Sequence, residues 1–249
     1  MMAGVRGKST DSCPLCGGAV FPWIGVPDVV SEATVGLPSP VDPYDPAGGG
    51  DARLVDRCDR CGVGIERSPE PVDLAAELER IEAEGPEGTR TFAAPNRASW
   101  QGSLGGDGWA ALAEWQGRLL LTPRALGLLV ELNGLHPEEA AFPPAGPNQR
   151  WLWQSILNGI TLHHNFFSEF RAGRLRMGNA RSPVAFAADM VASVLATPFV
   201  LLISVPLEAV AALAGRGGRM VVRASASSGE RVADLDDELG KLAGAIEVR

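Results

Sequence analysis

Two short runs, CPLCGG at residues 13–18 and CDRCGV at residues 58–63, share one pattern: a pair of cysteines three positions apart, followed directly by glycine. They contain all four cysteines of the chain. Two thiolates at this spacing grip one tetrahedral ion if the backbone between them turns tightly, and the glycine supplies the positive φ that aims backbone N–H groups at the sulfurs. Two such knuckles complete a shell of four sulfurs around zinc, with Cys13, Cys16, Cys58 and Cys61 as ligands. A closed shell leaves no coordination position for water or substrate, so the expected role of the zinc is structural. The competing reading is a redox CxxC, which belongs at the start of a helix in a βαβ setting, and nothing of that kind follows Cys16 or Cys61.

Outward from the knuckles, residues 19–24 and 53–57 have the apolar and β-branched character of short ribbon strands. Between them lies a stretch crowded with Pro and Gly, read as an irregular excursion in which Tyr44 is a surface anchor.

The whole chain has 249 residues, 45% of them hydrophobic, enough for a core in one large or two modest domains. Its net charge of −8 argues against binding to a phosphate backbone, which needs dense Lys and Arg, so nucleic acid is not an expected partner. No apolar run follows the basic residues of the N-terminus, which predicts a protein made and kept in the cytoplasm. In that reducing compartment paired cysteines point to metal or redox chemistry, not to structural disulfides.

Beyond the ribbon, residues 71–84 place Leu74, Leu78 and Ile81 at helical spacing, and residues 89–93 read as a strand. The glycine-rich run 102–108 lacks the offsets and the preceding strand of a dinucleotide fingerprint and is expected to be a flexible loop. Residues 118–121 form a strand, after which Thr122 and Pro123 supply an N-cap and a first helical position. That helix stops at Asn133-Gly134, with Leu126, Leu129, Val130 and Leu132 expected to face a core.

The run TFAAPNRAS (91–99), then Trp109, then RLLLTPRALGLLVELNGL (118–135) resembles the closing part of class I S-adenosylmethionine-dependent methyltransferases. There a strand ending in Pro-Asn is followed by a loop and a TP-x-x-L helix that ends before Gly. Some bacterial members are also similar to this chain in carrying a CxxCG…CxxCG ribbon at the front. The resemblance implies a cofactor site built on a strand, a Gly-rich turn and a helix ahead of residue 91. Here the interval 63–90 has 28 residues and one predicted helix, whereas a single βαβ unit takes roughly 30. The cofactor half is absent from the pattern, so the sequence assigns no catalytic and no cofactor-binding residue.

Residues 148–175 read as one long helix rich in aromatics, with His163 and His164 near its middle. No Cys or Ser nucleophile motif accompanies them, and Glu169 and Glu208 are the only acids read as convergent, so they are taken as core or interface histidines. From Met190 to Leu207 there is no charged residue, the length at which a membrane segment becomes a candidate. Pro198 and Pro206 interrupt it, which predicts two half-length helices meeting near Thr197-Pro198.

Seven arginines between Arg171 and Arg223, against Asp189 and Glu208, flank this segment on both sides. Positive charge at both ends fits a hairpin that dips into a membrane from its inner face and returns, and would attract anionic lipid. A pair of buried helices in a soluble core or dimer interface fits the same residues. Residues 219–224 read as a closing strand, and Leu235, Leu239, Leu242 and Ile246 mark an amphipathic tail helix.

The expected class is α+β. Residues 1–68 form a zinc ribbon with a long insert, 69–147 a truncated methyltransferase-like region, 148–225 a hydrophobic helical region with a closing strand, and 226–249 a linker and tail helix. The function expected is that of a noncatalytic zinc-binding accessory or interaction protein related to methyltransferases. Its partner would be another protein, a second copy or, through 184–215, an anionic membrane surface. The alternative is an S-adenosylmethionine-dependent methyltransferase whose cofactor site is unconventional or completed by a partner.

Overall fold

The computed structural model describes residues 12–26, 53–85, 89–163, 165–173, 175–177 and 182–226. The excursion with Tyr44, the tail helix, His164, Arg174 and Arg181 lie outside the described residues.

The chain forms a mixed α/β structure with two antiparallel sheets and six α-helices among the described residues. The first sheet begins with β1 (Val20–Val26) and β2 (Arg53–Cys58), paired so that Val20 faces Cys58, and continues through β3 (Gly64–Glu66). Arg53 on β2 clamps Glu66 on β3 through two bonds of 2.9 Å and lies 3.9 Å from the Trp115 ring. This pins the end of the β1–β2 pair that lies away from the cysteines.

Asp73 caps α1 (Leu74–Arg80), taking the N–H groups of Ala75 and Ala76, and α1 ends four residues short of the sequence expectation because β4 (Glu82–Ala83) takes over. β4 pairs with β5 (Arg90–Pro95). The run expected to be a loop at 102–108 is instead helical: α2 (Trp100–Gly105) is followed by a 3-10 turn at Gly106–Gly108. Ser99 caps α2 by accepting from Gly102 N–H, and a Cβ on Gly102 would come within 2.8 Å of the Arg97 carbonyl oxygen. Glycine there serves close packing, not looseness.

β6 (Leu119–Leu120) completes the first sheet in the order β1-β2-β3-β6. α3 (Pro123–Leu132) begins with the Thr122 cap and ends at Asn133 and Gly134, the latter at φ 74°. Leu126, Leu129 and Val130 are fully buried, but Leu132 is exposed, a correction to the expected core face. β7 (Leu135–Ala141) follows, an edge strand whose surface is mostly exposed.

The single long helix expected over 148–175 is two: α4 (Pro147–Asn158) and α5 (Phe166–Arg171). Gly159 ends the first, and the connecting backbone is held from outside, because Asp189 accepts from the N–H groups of Leu162 at 2.6 Å and His163 at 2.9 Å. Asn165, the one described non-glycine residue at positive φ, starts the second.

The two half-length helices expected to meet near Thr197-Pro198 are instead one continuous helix, α6 (Pro183–Leu213), so neither the hairpin nor the pair of buried helices forms. Proline removes one helical donor and crowds the preceding turn, yet a helix tolerates it where Ser or Thr side chains serve the local carbonyls. Thr197 donates its hydroxyl to Ser193 O at 2.6 Å, one residue before the Val194 carbonyl that Pro198 deprives of its helical donor. Both proline rings sit on the exposed side.

The last strand, β8 (Arg219–Ala226), lies between β5 and β7 and gives the second sheet the order β4-β5-β8-β7. One buried cluster joins Leu15 and Val63, beside the cysteines, to α3 and to Phe92, Met220 and Val222 of this sheet, so the two cysteine turns and the second sheet pack on the same core.

Candidate metal centre and an inverted helix

The two knuckles fold alike. Cys13 N–H donates to Gly18 O and Gly17 N–H to Cys13 O, while Cys58 N–H donates to Val63 O and Gly62 N–H to Cys58 O. Gly17 and Gly62 have φ of 66° and 73°, as the motif required. Gly18 serves a different need, since a Cβ there would stand 2.8 Å from Asp59 Oδ1 and 3.0 Å from Cys58 Sγ.

The four sulfurs lie within 4.8 Å of one another. The Cys13–Cys61 separation is 3.7 Å and the Cys16–Cys58 separation 3.4 Å. Four thiolates each about 2.3 Å from a central zinc would stand roughly 3.8 Å apart, so the donor set and its spacing are compatible with that ion. Sulfurs this far apart are not disulfide-bonded. Three of the cysteines are buried and Cys16 is half-buried.

Burial pushes the Cys13 thiol up to about 11, against the N–H groups of Leu15 and Cys16 that favour the thiolate, and burial raises Cys61 as well. Cys16 goes the other way. Its slight burial is outweighed by the Gly18 N–H and the thiols of Cys58, Cys61 and Cys13, which lower it to about 7. A divalent ion would displace the protons that otherwise keep the buried thiols neutral.

The centre is tied to the body through Thr122, whose hydroxyl donates to Cys61 O at 2.7 Å and accepts from Ala125 N–H at 3.2 Å. One side chain thus serves both the second knuckle and the start of α3.

α6 carries the second feature. By length and composition it could cross a membrane: its most apolar 18 residues have a mean hydropathy of 2.2, and only 17% of them are buried. Every exposed residue of α6 is Ala, Val, Leu, Ile, Phe or Pro. All its polar residues face the protein, with Asp189, Ser193, Ser204 and Glu208 buried and Thr197 partly so. An ordinary surface helix has the opposite arrangement.

Both acids are fully bonded. Asp189 takes the His163 ring Nδ1 at 2.6 Å in addition to the two backbone N–H groups. Glu208 accepts from Gln101 Nε2 at 3.0 Å, Asn148 Nδ2 at 2.7 Å and Gly218 N–H at 2.7 Å. Gln101 in turn accepts from the Trp109 indole. The sequence reading missed both networks. The His163 ring is met not by Glu169 or Glu208 but by Asp189, on a helix 26 residues away. The only signal available was that two acids in a long apolar run must be paired or face something polar.

His163 is enclosed and 1% exposed, beside the Phe166 ring, which fits a core histidine that seats α6. Elsewhere, Arg97 packs 4.3 Å from the Trp23 ring, and burial, with repulsion from Arg57, lowers its pKa to about 10.

A scan against protein-family models finds no match to this chain, and searches of curated proteins and of solved structures return none either.

Proposed function

We propose that this chain is a noncatalytic, zinc-stabilised accessory protein, related to methyltransferases and attached peripherally to the inner face of a membrane. The observation that carries this reading is the inverted polarity of α6. Water does not favour a helix that turns only apolar side chains outward and hides its acids. Zinc at Cys13, Cys16, Cys58 and Cys61 would supply cross-linking of the two knuckles, and its closed sulfur shell suits support of the fold. The noncatalytic element rests on the interval 63–90. It holds α1 and the short strands β3 and β4, and both strands pair antiparallel to their neighbours. That is not the parallel strand, turn and helix on which a nucleotide-like cofactor sits.

A second reading is favoured by one observation. Pro95 and Asn96 close β5, and Thr122-Pro123 then open a helix that stops at Asn133-Gly134, the succession on which the resemblance to methyltransferases rests. In that reading a partner chain completes the cofactor site. Calorimetric titration of the zinc-loaded protein with S-adenosylmethionine and with its demethylated product separates the two. The proposal predicts no binding in the micromolar range, and a micromolar Kd for either compound overturns its noncatalytic part.

A further inference from the structure

We infer that α6 lies in the plane of an anionic membrane surface, its outer face among the acyl chains and its polar stripe on the protein body, and does not cross the bilayer. This rests on the membrane attachment proposed above and specifies its geometry.

Crossing would break the bonds that seat α6 on the protein body. Asp189 is held by Leu162, His163 and the connection between α4 and α5, and Glu208 by Gln101, Asn148 and Gly218. Those partners belong to elements with polar surfaces, such as α4, where Arg150 is exposed and Gln149 half-buried. A helix that crossed on its charge-free run 190–207 would set Asp189 and Glu208 at opposite headgroup layers, so at least one of them would leave its donors on the protein body, or the polar helices that supply those donors would be dragged into hydrocarbon. Lying in the plane preserves every one of these bonds.

Charge points the same way. Arg171 and Arg176 are exposed on the segment that leads into α6, where Phe170 meets Phe186 at 6.0 Å, and Arg216 is exposed just past its C-terminal end. Positive charge at both ends places both at one headgroup layer, and anionic lipid complements it. Phe170, Leu162 and Ile160 add exposed apolar surface beside the N-terminal half of α6.

Breadth decides between lipid and a second copy. A helix pair buries a narrow seam of each helix. On α6 the exposed apolar residues occupy every side except the one stripe against the body. Another copy would cover a seam and leave the remainder in water, whereas acyl chains surround all of it.

The test uses the full zinc-loaded chain and three variants with tryptophan at exposed positions along the helix: Val191→Trp, Leu202→Trp and Leu213→Trp. Each is mixed with phosphatidylglycerol vesicles whose lipids carry bromine either near the headgroup or near the chain ends, and quenching beyond that of the wild-type tryptophans is recorded. An in-plane helix gives equal extra quenching at all three positions, strongest with the shallow bromines. It also gives binding about an order of magnitude tighter to phosphatidylglycerol than to phosphatidylcholine. Deep quenching confined to the Leu202 variant would show a crossing helix and overturn the inference while leaving membrane attachment standing. Binding to vesicles with no extra quenching at any position would also overturn it, since another surface would then hold the lipid. No vesicle binding at all, with the chain sedimenting as a dimer, would overturn the attachment itself.

Discussion

Asp189 and Glu208 stand on the same buried stripe of α6, each 1% exposed and each met by three hydrogen-bond donors from the protein body. They fasten the N-terminal and C-terminal halves of one helix to different elements. Asp189→Ala or Glu208→Ala leaves those donors without an acceptor, and each should lower stability by on the order of 3 kcal/mol. Leu195→Gln, at a side chain 66% exposed, should stay within about 0.5 kcal/mol of wild type. Urea denaturation reads both, and equal stability of the two kinds of variant would remove the fastening role.

Thr122 couples the metal centre to α3. Thr122→Ala should cost about 1 kcal/mol from the lost cap and more from the Cys61 carbonyl it deserts, while Thr122→Ser should keep both bonds. Thermal unfolding of the zinc-loaded variants checks this, with the serine variant at the wild-type midpoint.

Cys16 differs from its companions in exposure and in thiol acidity. In protein stripped of metal and treated with iodoacetamide at pH 7.5, Cys16, with its pKa lowered to about 7, should be alkylated well before Cys13, held at about 11 by burial. Added zinc should protect all four cysteines. Peptide mass spectrometry reads the order, and faster labelling of Cys13 would contradict the geometry of the first knuckle.

The adjacent glycines of that knuckle should fail for different reasons. Gly17→Ala meets no atom within 4 Å, so its effect is backbone strain alone, about 1–2 kcal/mol. Gly18→Ala has an ordinary φ but drives a methyl into Cys58 Sγ, so it should weaken zinc binding with little change in the metal-free protein. A competition titration with a chromophoric chelator separates the two.

The gathering of Cys13, Cys16, Cys58 and Cys61 was legible because much of its information is local: spacing and glycine together dictate each tight turn whatever surrounds it. The same holds for α3, where Thr122, Pro123 and Gly134 state both ends in sequence. What stayed hidden depends on distant partners. The break between α4 and α5 is enforced by Asp189, and β7 has little strand character beyond its pairing with β8 and the Arg223–Glu139 contact at 2.9 Å. The continuity of α6 through Pro198 and Pro206 went unread because the acids that anchor both halves of the helix to the body lie outside the local cost that proline rules count. The apolar run itself was plain, but which side of it faced the protein was not, since that follows from where its acids find donors.

The most direct test of the account is flotation of the zinc-loaded protein with phosphatidylglycerol vesicles, beside a variant carrying Leu195→Gln, Phe199→Gln and Leu202→Gln. These side chains are 66%, 67% and 74% exposed, so the variant should fold as wild type does. The account predicts that wild type rises with the vesicles and the folded variant stays at the bottom of the gradient. A wild-type protein that remains at the bottom, or a triple variant that floats as well as wild type, would contradict it.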